Sequence, residues 1–255
     1  TDAVGAVTFQ LAQDKRLANA FLARYGFPVP RQIRYTGLAP ALAFLRRVRA
    51  VVVKPCREWG GRGVAVGVTR EPELRDALAR ARRFGEDVVV EEYVEGVDHR
   101  LIFVDYRCVA AIVREPAAVV GNGTSTLREL IVRQNARERR TDASHRIPLD
   151  AETRRALAAA GLDYERVPRA GETVRVRLTS NYHTGGSVRE VTDSLNEALV
   201  RAGRNVARLF QIPVLGVDFL VHPRTGRHWI IEVSPDLAIS PPEGETVARR
   251  FLDLL

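Results

Sequence analysis

Methionine is absent from this chain of 255 residues, and cysteine and lysine occur twice each. Two cysteines, Cys56 and Cys108, are too few for a disulfide framework, so reduced thiols in a cytoplasmic protein are the simplest reading. No apolar run approaches the roughly 18–20 residues of a membrane span. The opening Thr1-Asp2-Ala3-Val4 lacks the charged region and long apolar stretch of a signal peptide. It also lacks an initiator methionine, which is expected of an excised domain or a processed chain. Aromatic residues make up only 7%. The arginine pairs at 46–47, 82–83, 139–140, 154–155 and 249–250 are scattered rather than striped among aromatics. That excludes the usual single-strand nucleic-acid surface, and nucleic acid is not the expected partner. Repeats and low-complexity tracts are absent.

What is present is 45% hydrophobic residues, enough for one substantial core or two small ones sharing a cleft. The net charge of +8 matches an arginine-rich bias and also suits an anionic substrate. Against 37 arginines stand Lys15 and Lys54 alone. Lysine is a compact point charge suited to a phosphate oxygen in a tight site, whereas arginine is a planar fork.

Periodicity predicts a helix over 8–26, stopped by Gly26 and the prolines beyond it. Strands are expected at 50–54 and 64–68, flanking a glycine-rich loop at 55–63. A helix follows at 72–84, with Leu74, Ala77, Leu78 and Ala81 on one face, then a strand at 88–93. Residues 101–104 and 109–114 read as a hairpin turning at Asp105-Tyr106-Arg107. Short helices are expected at 127–135 and 152–160, a strand at 174–178, and a glycine-containing loop at 180–187. A long amphipathic helix spans 195–210, and strands at 214–221 and 228–233 are joined by a Pro-Arg-Thr-Gly turn. A terminal helix covers 246–255. The class is α+β, with a small subdomain over about 28–95 before a larger one over about 96–255.

Lys54 ends a strand beside Gly60-Gly61-Arg62-Gly63, whose mobile N–H groups can fold over phosphates. The loop lacks the lysine-then-hydroxyl ending of a Walker loop. Glu91-Glu92-Tyr93-Val94 runs a strand into a turn whose backbone can meet an adenine edge and whose Asp98 can bond a ribose hydroxyl, or else forms an acidic solvated edge. Asp218 and Glu232 each sit inside an apolar run on adjacent strands. Buried carboxylates are costly unless paired or bound to metal, and two facing ones suit Mg²⁺ shared with phosphates. Arg177 enters the loop containing Asn181, His183 and Gly185-Gly186, where an arginine can hold a phosphoryl or carboxylate group. His183 is read as a loop residue rather than a general base.

In this order, these elements resemble the ATP-grasp superfamily over nearly the whole chain. Within it the chain is similar to N-acetylglutaminylglutamine synthetases and to the ATP-grasp module of cyanophycin synthetases. That likeness is carried by 120–131, by Arg146-Ile147-Pro148-Leu149-Asp150 and by 179–186, and the short 221–229 connection favours the first of the two. The resemblance implies two α/β subdomains with antiparallel sheets sandwiching ATP. Residues 1–27 would be the leading helix, 28–95 the lid and 96–255 the catalytic subdomain. Lys15 and Lys54 would hold phosphates, with Gly60, Gly61 and Gly63 in the mobile lid. Glu91, Glu92, Tyr93 and Val94 would meet adenine, and Asp98 the ribose. Asp218 and Glu232 would bind Mg²⁺. Arg177, Asn181 and Arg100 would flank the transferred group. The implied activity joins a carboxylate to an amine, of amino acids or short peptides, through an acyl-phosphate, in a homo-oligomer. Two departures stand out. Ser234 replaces the family's asparagine two residues after the metal glutamate, which leaves a non-catalytic nucleotide-binding relic as the rival reading. Only 13 residues precede Asp14-Lys15, where the family carries a further domain, so part of the substrate site is expected outside this chain.

Overall fold

The computed structural model describes residues 5–58, 60–237, 247–249 and 252. In chain order, α1 (Ala6–Gln13) and α2 (Lys15–Arg24) lead into β1 (Gln32–Arg34), α3 (Leu38–Val48), β2 (Val51–Pro55), β3 (Ala65–Val68), α4 (Glu71–Ala81) and β4 (Val88–Glu92). Then come β5 (Val97–Val104), β6 (Arg107–Glu115), β7 (Ala118–Val120), α5 (Leu127–Glu138), α6 (Ala151–Ala159) and β8 (Thr173–Arg175). β9 (Ser187–Glu190), α7 (Glu197–Phe210), β10 (Val214–Val221) and β11 (His228–Ser234) follow. The terminal helix expected over 246–255 lies largely outside the described residues. The chain forms two compact units. One comprises the residues up to Val113 and from Arg189 onward, and the other is Arg114–Val188.

The first unit holds two sheets. In the first, ordered β1-β4-β2-β3, every pairing is antiparallel. Its residues alternate as a strand period of two requires. Val51, Val53, Val88 and Val90 are buried together with Ala41, Phe44 and Leu45 of α3 and with Leu74, Ala77 and Leu78 of α4. The intervening residues, among them Lys54 and Glu91, therefore project from the face without helices. The four residues expected on one face of α4 are all buried. β1 and α3 fall in the stretch 28–49, where no element was expected.

The second sheet is ordered β11-β10-β5-β6-β9. One face, built from Leu101, Phe103, Leu215, Val217 and Phe219, packs on α7 and on the leading helices. α7 buries Leu199, Gly203, Val206, Ala207 and Phe210, a helical spacing that leaves its arginines outside. A glycine inside this helix has a steric cause: a Cβ on Gly203 would lie 2.4 Å from Cζ of Phe103. The hairpin strands are longer than expected, and their turn is tight, with Asp105 and Tyr106 both in the left-handed region (φ 48° and 60°).

The helix expected over 8–26 is two helices. Asp14 adopts an extended conformation, and its side chain accepts from the N–H groups of Arg16 and Leu17, capping α2. Local capping by aspartate wins over helix continuation. The second unit packs α5 and α6 on the β7–β8 pair through Leu127, Ile131, Leu157 and Val174. α5 opens with a capping box between Thr126 and Glu129. The strand expected at 174–178 ends at Arg175, so Arg177 lies two residues beyond it rather than on a strand.

Gly203→Ala is expected to destabilise the protein by about 1–3 kcal/mol, because Phe103 is fully enclosed and its ring cannot swing away. Alanine's helix-propensity advantage of about 1 kcal/mol works in the opposite direction. Urea unfolding measures the balance, and a more stable variant would mean that the ring yields.

Candidate active site

Three adjacent strands bring one row of side chains together. In the β5–β10–β11 ladders Arg100 pairs with Asp218, and Asp218 pairs with Glu232. Cross-strand partners share a face, so all three project opposite the α7 side. An Arg100 nitrogen lies 3.6 Å from Asp218. Next along the row Ser234 faces Gly216, whose missing side chain leaves room for the Arg100 guanidinium; a Cβ there would come within 3.1 Å of it. The ladder carries a bulge: Phe219 pairs with Ile230 but Asp218 with Glu232, which leaves Ile231 as the extra residue.

Two ammonium groups reach this row. Lys15 is the first residue of α2, fixed by the Asp14 cap and by its own N–H donating to the Cys56 carbonyl at 3.0 Å. Its Nζ lies 3.0 Å from Oε1 of Glu232 and also donates to the Glu58 carbonyl. Lys54, on the helix-free face of the first sheet, bonds Glu91 at 2.9 Å and reaches the carbonyl of the bulged Ile231 at 3.5 Å. Lys54, Glu91 and Asp218 are all buried. Burial pushes the Glu91 carboxyl above its usual range, although Lys54 pulls the other way; the nearby Glu232 adds to the rise and Lys15 opposes it. Three cations (Lys15, Lys54, Arg100) thus stand among three carboxylates (Glu91, Asp218, Glu232).

The remaining sequence candidates fall elsewhere in the first unit or in the second unit. Gly60, Gly61 and Gly63 all have φ near +70°, which suits a loop that only glycine follows without strain. Glu92 is held by Arg31 through two bonds of 2.8 Å, and that guanidinium keeps its carboxyl below the usual range. Tyr93 is exposed, with its N–H spent on the Ala50 carbonyl. The N–H of Val94 donates to nothing among the described residues. Asp98 lies on β5 opposite Leu220. In the second unit, Arg177 is buried and pairs with Asp150 and Thr153, while its Nε and the Oδ1 of Asn181 are buried without a hydrogen-bond partner among the described residues. His183 is exposed. Sequence reasoning missed Arg31, Asp150 and the Ile231 carbonyl; only the acidic residue near an arginine-rich stretch hinted at the second, and nothing hinted at the bulge.

Asp218 and Glu232 present oxygen atoms from neighbouring strands, with the Ser234 hydroxyl one register further on. Among the described residues no group of three or more His, Cys, Asp or Glu could hold a metal. That does not suit a protein-only cage. It fits Mg²⁺, which takes one or two carboxylates and completes its shell with phosphate oxygens and water.

No family model matches the chain. It is 31% identical over 236 residues to the cyanophycin synthetase of Trichormus variabilis, covering 86% of this chain and 25% of that protein. It is 29% identical over 220 residues to the glutathione biosynthesis bifunctional protein GshAB of Pasteurella multocida, covering 83% of this chain and 29% of that protein. The D-alanine–D-alanine ligase structure from Bacillus anthracis superposes with a TM-score of 0.63 at 16% identity, over 98% of this chain and 68% of that one. The chain thus spans about a quarter of the length of the curated relatives it matches. Its fold, shared with ATP-grasp ligases among the solved structures, is the ATP-grasp fold. In sequence the chain is similar to the corresponding quarter of cyanophycin synthetase.

Removing Lys54 strands Glu91, and breaking a buried pair from one side costs about 3–5 kcal/mol while the remaining charge stays ionised. A carboxyl whose folded pKa lies above its unfolded value of about 4.3 stabilises below that pH and loses the contribution as pH rises through the folded value. Burial already sets Glu91 in this direction. Lys54→Ala is therefore expected to lag wild type little near pH 4 and by about 3 kcal/mol near pH 8, with Lys54→Ala/Glu91→Gln closing most of the gap. Urea unfolding at the two pH values checks this; a gap independent of pH would remove the buried-carboxylate account.

Proposed function

We propose that this chain carries the nucleotide-binding and catalytic centre of an ATP-dependent carboxylate–amine ligase. The observation that carries the reading is the Arg100–Asp218–Glu232 row with the ammonium ends of Lys15 and Lys54 directed at it. In this proposal Lys15 and Lys54 bind ATP phosphates, and residues 28–95 form the lid that closes with Gly60, Gly61 and Gly63. The backbone over Glu91–Val94 takes the adenine edge, and the unspent Val94 N–H supports that role. Asp98 takes the ribose. Asp218 and Glu232 would hold Mg²⁺, with Ser234 a weak neighbour; the ion supplies charge withdrawal from phosphate oxygens. Arg177 and Asn181 are assigned to the acid substrate and the transferred group, in keeping with their unsatisfied buried atoms.

The reaction follows from these placements. An oxygen of the substrate carboxylate attacks the γ-phosphorus, and the bond to the β-phosphate oxygen breaks with its electron pair leaving on ADP. Lys15, Lys54 and Arg100 are fixed positive charges that need no reorganisation as negative charge develops. The amine nitrogen then attacks the acyl carbon, phosphate leaves, and the amine proton passes to phosphate or solvent. Excluding water under the lid protects the acyl-phosphate from hydrolysis. The names of the relatives, a cyanophycin synthetase and a glutathione biosynthesis protein, support amino acids or short peptides as substrates. A cytoplasmic setting and a homo-oligomer belong to the same proposal. The free thiols Cys56 and Cys108 agree with the first of these.

The second reading, a nucleotide-binding relic, is favoured by Ser234 at the position of the family's asparagine. ADP release with candidate acids and amines, assayed in the full-length protein, separates the two. Asp218→Asn and Glu232→Gln are each expected to lower that rate about 10²–10³-fold with the unfolding curve retained. Turnover at the wild-type rate would remove both residues from the centre. Nucleotide binding without turnover for every pair tested would establish the relic. Ser234→Asn is expected to tighten Mg²⁺ binding, and no change would show that the hydroxyl is not a degraded ligand.

A further inference from the structure

At the far end of β5 from Arg100 lies a second concentration of positive charge that the ligase chemistry does not use. Arg107, Arg204 and Arg208 line one cavity of about 460 Å³ together with Asp105 and Tyr106. Arg100 and Asp105 are five residues apart along an extended strand, roughly 17 Å. The central row and this cavity are thus separated along the strand. The fold brings the three arginines to one cavity. Gly203 lets α7 press onto Phe103, and this approach carries the next residue, Arg204, to the hairpin. The hairpin turn holds both Asp105 and Tyr106 in the left-handed region, the geometry of a tight two-residue hairpin turn, which sets Arg107 directly after it. Arg204 and Arg208 stand four residues apart on one helix face, a like-charge spacing that opposes folding. Elsewhere arginines such as Arg75, Arg155 and Arg201 have carboxylates at that distance or nearer. The guanidinium groups of Arg107, Arg204 and Arg208 make no hydrogen bond or ion pair among the described residues.

We propose that Arg107, Arg204 and Arg208 form a second anion site, separate from the nucleotide centre, for a small ligand bearing two or more anionic oxygens. Guanidinium forks match the paired oxygens of phosphate and carboxylate groups, and the cavity has the size of a small-ligand pocket. Asp105, the one carboxylate among the lining residues, disfavours additional negative charge close to it. The site stands or falls independently of the ligase reading.

Calorimetric titration without divalent cations, at fixed ionic strength, tests it with two probes, inorganic pyrophosphate and citrate. The proteins compared are wild type, Lys15→Ala, Arg204→Ser/Arg208→Ser, and Arg107→Ser on the separate hairpin. At least one anion is expected to bind wild type at a site that Lys15→Ala retains and that both arginine variants weaken about tenfold or more. Binding of pyrophosphate alone identifies a phosphate ligand; binding of both identifies a general polyanion site. Thermal unfolding checks that the variants are folded. No binding of either anion, or binding that the arginine variants leave within about twofold of wild type, overturns the proposal.

Discussion

A carboxylate removed from water must find a cation, and this constraint organises the centre of the first unit. Glu91 and Asp218 are each under 5% exposed. Isolated charges at that depth would neutralise rather than persist. Lys54 answers Glu91, Arg100 answers Asp218, and Lys15 answers Glu232. In each sheet the face toward the helices is apolar, and the charges of this cluster lie on the other face, beside apolar residues such as Val89 and Ile102.

The balance also defines what the centre is prepared to do. Its cations are held by side chains on relatively rigid elements, at the start of α2 and in the strands β2 and β5. An anionic ligand arriving with a divalent ion can exchange partners with these groups while total charge stays near zero. Such an exchange costs less than creating new buried charge. Both lysines of a chain otherwise given to arginine stand in this cluster. A compact ammonium on a flexible stem can move between a carboxylate and a phosphate oxygen, and a planar fork committed to two bonds does so less readily. Arg177 illustrates the contrast, being locked to Asp150 and Thr153 in the second unit.

The arginines of the chain serve different ends, although composition treats them alike. Many sit on helix surfaces beside carboxylates three or four residues away, contributing little individually. Arg31 fixes Glu92 at the edge of the first sheet. The trio at the hairpin and α7 is set apart by convergence on one cavity.

Much of this was legible beforehand. The four-residue face of α4, the hairpin turn at 105–107 and the pairing of the Asp218 and Glu232 strands are local patterns, set by periods of 2 and 3.6 and by turn chemistry. β1 and α3 escaped because the 28–49 stretch mixes prolines, a glycine and apolar residues without a clean period. The single helix over 8–26 was wrong because aspartate capping competes with helix propensity on nearly equal terms. The sequence by itself determined which residues carry charge within apolar runs, and therefore that a polar centre exists. Only the tertiary structure decided the partners: Glu91 with Lys54, Glu232 with Lys15, the Ile231 carbonyl turned inward by a bulge. Those contacts join residues separated by 37 to 217 positions, and register between distant strands depends on packing that no local pattern encodes.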